Sequence, residues 1–178
     1  MTRSIKGVTP YLSVPIALVA MLALLVGTLP ISAGEGGIAG ARFTAALVGA
    51  EENPPVTTGA TGELELTLVD AGTMLFTLSY RTLEGGDPAA AHIHIGPRGA
   101  NGPVVIPFCG AGGKPACPAS GSVSGTITPA DVMALPDLGV AAGDLNAVLT
   151  AMRAGNTYAN IHNAQNPGGQ IRGQISGG

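Results

Sequence analysis

Tryptophan is absent from this chain, and the other large aromatics are limited to three phenylalanines and three tyrosines. Any core must therefore be aliphatic. Positive charge is scarce too: beyond residue 34 stand Arg42, Arg81, Arg98, Lys114, Arg153 and Arg172 against all 11 acids, a formal balance of -5. Phosphate backbones are bound by clustered Lys and Arg, so the balance argues against a nucleic-acid ligand. Cysteine is confined to Cys109 and Cys117 in "PFCGAGGKPACPA". One pair flanking a Gly- and Pro-rich loop reads as a single disulfide of an exported protein. A thiolate metal site is the competing reading, weakened because structural zinc calls for four ligands. Enzymatic signatures are missing as well. No serine sits in an elbow motif or beside a base, no carboxylate pair has spacing suited to acid and base work, and "GPRGANGPVV" follows no Walker pattern. The chain reads as a non-enzyme, without internal repeats or a low-complexity tail.

The N-terminus carries Arg3 and Lys6, then an apolar run, "VPIALVAMLALLVGTL", ending at Pro30 and small residues. That order is an export signal. Cleavage after Ala33 would leave residues 34–178 as one mature domain of sufficient length for a normal core. The alternative is an uncleaved anchor, because the run approaches the length that spans a bilayer. In both cases the folded part lies outside the cytoplasm, and membrane contact is confined to this segment.

Period-2 alternation recurs through the rest of the chain. "ARFTAALVG" puts Phe43, Ala45 and Leu47 inward; "GELELTLVD" does the same with Leu64, Leu66 and Leu68 and forms a hairpin with "TMLFTLSY". "AHIHI", "PVVIPF", "SVSGTIT", "TYANIHN" and "GQIRGQIS" follow, separated by turn residues. The pattern predicts an all-β, antiparallel sandwich or barrel. Residues 129–154 break it. Thr128 before Pro129 marks a helix start, and a second helix near Asp144 places Leu145, Val148, Leu149 and Met152 on one face and ends at Gly155. This reads as a short helical insertion.

Two of the three histidines, His92 and His94, are two residues apart, so on a strand they share a face opposite Ile93 and Ile95. His162 lies with Tyr158 and Asn160 opposite Thr157, Ala159 and Ile161. If the two strands are neighbours, three imidazoles converge on a site for copper or zinc, with a coordination position left open. Asn160, Tyr158 or a backbone carbonyl would then orient a ligating ring through its other nitrogen. The plainer alternative is three surface histidines that only form hydrogen bonds. "EENPP" reads as a strand-ending turn, with calcium binding by Glu51 and Glu52 as the competing role. In "NPGGQIRGQI" a tight turn enters a closing strand, with Arg172 on the outward face beside Gln170 and Gln174 and a structural role.

Three segments, "FTAALVGAEENPPVTTGATGELELTL", "AHIHIGPRGANGPVV" and "AGNTYANIHNAQNPGGQIRGQI", together resemble the CHRD domain family over residues 42–175. The resemblance implies an all-β Greek-key sandwich with a likeness to the Cu/Zn superoxide dismutase architecture. It matches the family pattern at His92, His94, Asn160 and His162. Gln170 stands where that pattern often has an acid, and the loop between the cysteines is a local elaboration. Two-metal dismutase chemistry needs more histidines than the three present.

Three functions are therefore in contention. The first is an exported binding module holding one copper or zinc ion through His92, His94 and His162. The second is a structural or adhesive envelope protein without metal, serving an unidentified protein or polysaccharide partner. The third is a single-metal redox enzyme.

Overall fold

The computed structural model describes residues 1–2, 39–119 and 121–178; the expected export segment and its cleavage point lie outside these residues. The described elements all belong to the unit Gly34–Gly178. They are β1 (Arg42–Val48), β2 (Thr61–Asp70), β3 (Thr73–Arg81), β4 (Pro88–Ile95), β5 (Val104–Cys109), β6 (Gly121–Ile127), α1 (Leu145–Arg153), β7 (Thr157–Asn163), β8 (Ile171–Gln174) and β9 (Ser176–Gly177), with single 3-10 turns at Gly49–Glu51, Pro129–Asp131 and Pro136–Leu138. Among the described residues no helix is long and apolar enough to cross a membrane.

The strands form one antiparallel sheet in the order β5-β4-β7-β8-β1-β2-β3-β6, with β9 also on β1. Curling brings its two ends together as a nearly closed barrel. At the seam, Phe76 of β3 and Phe108 of β5 meet at a ring-centroid distance of 4.7 Å. The Met133 N–H donates to the Val105 carbonyl of β5 at 2.9 Å, so part of that edge is covered by the segment after β6. This is the all-β architecture that alternation predicts.

Alternation also assigns the core correctly. Phe43, Leu47, Leu64 and Leu68 are fully buried, and Leu66 is 1 % exposed, while Glu63 and Glu65, alternating with the leucines, face solvent. From β4 and β7 the core receives Ile93, Ala159 and Ile161. α1 contributes Leu145, Val148, Leu149 and Met152, all buried. Its start is set by Asp144, whose side chain accepts from the Ala147 N–H at 2.9 Å and satisfies one of the unpaired donors of the first turn.

The first half of the insertion differs from expectation. Thr128 and Asp131 do form a box, with the Thr128 N–H donating to Asp131 Oδ2 at 2.8 Å. In place of a helix stand two separate 3-10 turns, Pro129–Asp131 and Pro136–Leu138. Pro136 disfavours a helical Leu135 and cannot donate to a helix ladder, and Leu135 instead pairs with Val140 in an isolated bridge.

Cys109 and Cys117 are disulfide-bonded, with Cα atoms 4.9 Å apart, and no described cysteine is free. A disulfide is the ordinary state of cysteine pairs in oxidising compartments.

Candidate metal centre

β4 and β7 are hydrogen-bonded neighbours, with His92 opposite Asn160, His94 opposite Tyr158 and Ala90 opposite His162. β8 lies on the other side of β7 and sets Arg172 opposite Asn160. Because directly paired residues share a sheet face, His92, His94, Tyr158, Asn160, His162 and Arg172 all stand on the side away from Ile93 and Ile161. The adjacency on which the three-histidine reading depends is present.

Most of that face is closed to solvent, with His162 half-buried. His92 and His94 are each 7 % exposed, Asn160 2 %, and Arg172 2 %. The outward, exposed placement expected for Arg172 and Gln170 is thus corrected: Arg172 is on the side away from the core but covered, and Gln170 is 1 % exposed, its side chain held by Asn163 and the Glu84 carbonyl. Segment 96–103 covers Arg172, Tyr158 and His94. Arg172 donates to Asn101 Oδ1 at 3.0 Å and to the Ala100 carbonyl, and its guanidinium lies 3.3 Å from the centroid of the Tyr158 ring. Tyr158 stacks in turn on His94, ring centroids 4.7 Å apart and planes within 5°. Its hydroxyl accepts from the Gly102 N–H at 3.0 Å. The glycine-rich segment after β4 is therefore a cover for the histidines, not a phosphate cradle.

The imidazoles converge. Centroid separations are 5.6 Å for His92 and His94, 5.1 Å for His92 and His162, and 6.2 Å for His94 and His162. One ligating nitrogen from each lies within 4.8 Å of the others. Tetrahedral coordination at 2.0 to 2.1 Å would set those nitrogens about 3.3 Å apart, so modest ring rotations would close the set.

Hydrogen bonding leaves suitable lone pairs. His94 Nδ1 lies 2.8 Å from the Gly102 carbonyl, and His162 Nδ1 lies 3.0 Å from the Pro167 carbonyl. A carbonyl only accepts, so His94 Nδ1 carries the proton and its Nε2 keeps a lone pair, whereas His162 has an acceptor at each ring nitrogen, the Pro167 carbonyl at Nδ1 and Asn160 Oδ1 2.9 Å from Nε2. His94 Nε2 and His92 Nδ1 are buried without a hydrogen-bond partner. Buried polar atoms are seldom left unsatisfied, and a metal ion would satisfy both.

Burial also holds these rings neutral. His92 is pushed down to about 4, by desolvation first and then by the neighbouring His162 and His94. Desolvation lowers His94 and His162 as well, against the opposing hydrogen bonds to Gly102 and Pro167. Unprotonated imidazole is the form that ligates metals.

Glu52 was not singled out by sequence except as a calcium ligand of the "EENPP" turn. It is 6 % exposed, its Oε1 has no partner, and burial raises its carboxyl to about 7, against the attraction of Arg172. Glu51 instead pairs with Arg98 at the surface. The two acids of the motif thus separate, one to an exposed ion pair and the other towards the histidine face. Glu52 carries no signal in sequence beyond its turn, because the residues that bury it come from distant segments.

A family model described as CHRD domain matches residues 43–175. The match runs from the second residue of β1 past the end of β8 and includes the whole histidine face. No curated protein matches the chain.

Proposed function

The chain belongs to the CHRD domain family, and on that premise we propose that it is an exported, non-enzymatic binding module that holds one zinc or copper ion through His92, His94 and His162. The observation that carries the reading is the meeting of three imidazoles with His92 Nδ1 and His94 Nε2 buried and unpartnered. Imidazole donors suit both zinc and copper, and among the described residues both cysteines are tied up in the disulfide, so no thiolate is present to select copper(I). Gly102 and Pro167 orient two of the rings through their second nitrogens, which is the usual supporting arrangement for ligating histidines. Export is supported by the N-terminal sequence and the Cys109–Cys117 disulfide.

The test is metal analysis of protein purified without an affinity tag, together with melting curves in zinc and in copper. One ion per chain and a melting temperature that rises with metal are expected, since a ligand bound only by the folded state adds about 2.7 kcal/mol at 100 times its Kd. His94→Ala should abolish both effects. Equal binding by His94→Ala and the unsubstituted protein removes the site. Absence of binding by the unsubstituted protein returns the histidines to a hydrogen-bonding role in a structural or adhesive protein. Turnover of superoxide or peroxide by the copper-loaded protein would contradict the non-enzymatic reading.

A further inference from the structure

Asn160 occupies a central place in the histidine cluster. It is directly across from His92 in the β4–β7 register, diagonal to His94, and two residues before His162 on the same strand. Its Oδ1 lies 2.9 Å from His162 Nε2. His162 Nδ1 lies 3.0 Å from the Pro167 carbonyl, so an acceptor faces each nitrogen of the ring. A neutral ring has one proton for the two acceptors, and with it on Nδ1 the Nε2 lone pair faces that of the amide oxygen. Two acceptors at hydrogen-bond distance repel unless they share a proton or a metal cation.

The opposite amide orientation would relieve that repulsion by turning Nδ2 towards the ring. Gly169 argues for the orientation observed. It has a φ of 123° and no side chain, and the space a Cβ would fill there is bordered by Glu52 Oε1 and by Asn160 Nδ2. Glu52 Oε1 is a buried acceptor without a partner. A carboxyl oxygen on that side of Asn160 favours the Nδ2 end of the amide, which leaves Oδ1 turned to the histidines.

We propose that Asn160 Oδ1 is the fourth ligand of this centre, completing a set of three imidazole nitrogens and one amide oxygen. The proposal rests on the three-histidine reading above and extends it from a site open to water to a closed one. The spacing is close to what ligation needs: two tetrahedral donors at 2.0 to 2.2 Å from zinc lie about 3.3 Å apart, a small opening of the observed 2.9 Å. A neutral oxygen donor beside three imidazoles fits divalent zinc or copper(II) better than copper(I), which prefers softer partners. Asn160 thereby acts as a specificity-determining residue, and a closed four-donor set agrees with a binding role.

The experiment compares zinc affinity, by competition with a chromophoric chelator, for the unsubstituted protein, Asn160→Leu and Asn160→Asp, with a crystal structure of the zinc-loaded unsubstituted protein. Asn160→Leu should weaken zinc at least tenfold; Asn160→Asp, which keeps the shape and adds negative charge, should strengthen it by a similar factor. The crystal should show Oδ1 at about 2.0 to 2.2 Å from the ion. Asn160→Asp and the crystal structure keep the idea testable if Asn160→Leu does not fold. Zinc bound by three histidines and a water, with Oδ1 beyond ligating distance, overturns this inference alone, as does an Asn160→Leu protein that folds and binds zinc normally. Failure of the unsubstituted protein to bind zinc or copper(II) overturns the three-histidine reading itself.

Discussion

Two buried titratable groups, His92 and Glu52, shift in opposite senses and make opposing contributions to the pH response of the metal-free protein, with His94 and His162, also lowered by burial, adding to the His92 side. In the unfolded chain His92 titrates at its ordinary 6.5, whereas in the folded protein it sits at about 4. Below 6.5 the unfolded chain takes up a proton that the folded state refuses, so stability falls as pH drops from 6.5 towards 4, by about 3 kcal/mol in all. Glu52 runs the other way. Its carboxyl is raised from 4.5 to about 7, so between these values the unfolded chain ionises first, and stability falls by about 3 kcal/mol as pH rises. The two slopes offset one another between 4.5 and 6.5. Glu52→Gln removes one of them. Urea unfolding at pH 4.5, 6 and 8 should show this variant gaining on the unsubstituted protein by about 3 kcal/mol from the lowest pH to the highest; a constant difference would show that Glu52 is not held in the buried, protonated form.

At the scale of elements, the device that makes the site is a pair of neighbouring strands under a glycine-rich cover. Gly102 is the residue of that cover on which most depends: its carbonyl orients His94 and its N–H holds the Tyr158 hydroxyl. A Cβ at Gly102 would collide with the Ile95 carbonyl. Gly102→Ala should therefore destabilise the fold by about 2 kcal/mol through local strain and weaken zinc binding about tenfold or more by displacing a supporting hydrogen bond. Chemical unfolding and metal titration of the same sample check both; a loss of stability without a loss of affinity would separate the cover from the centre. The strands themselves were legible. Period-2 alternation placed Leu64, Leu66 and Leu68 inward and set His92, His94 and His162 opposite the isoleucines, because pleating dictates it. Burial of the histidine face was not legible. The groups that close over Arg172 come from residues 100 and 101, those that border Asn160 include residues 52 and 169, and none of these pairings leaves a periodic signal. The insertion was half legible, since the Asp144 cap is local chemistry while the stop after Asp131 depends on Pro136 and on the Leu135–Val140 bridge.

For the whole molecule, the barrel is nearly but not fully closed, and its weak point is the seam between β5 and β6. The Cys109–Cys117 bridge ties the loop that follows β5 back to that strand's last residue. Its 8-residue separation corresponds to a loop-closure contribution of about 2 to 3 kcal/mol. Denaturant unfolding of Cys109→Ser/Cys117→Ser beside the oxidised protein should show that loss, with zinc affinity retained because the loop contributes nothing to the histidine face; a coupled fall in affinity would mean that the seam and the centre open together. The central claim is that three rings from two adjacent strands share one ion, and NMR of the imidazole nitrogens tests it most directly. On addition of one equivalent of zinc to tag-free protein, one nitrogen in each of His92, His94 and His162 should shift, all three saturating at the same stoichiometry. A ring that keeps its zinc-free shift while the other two respond would contradict the shared site.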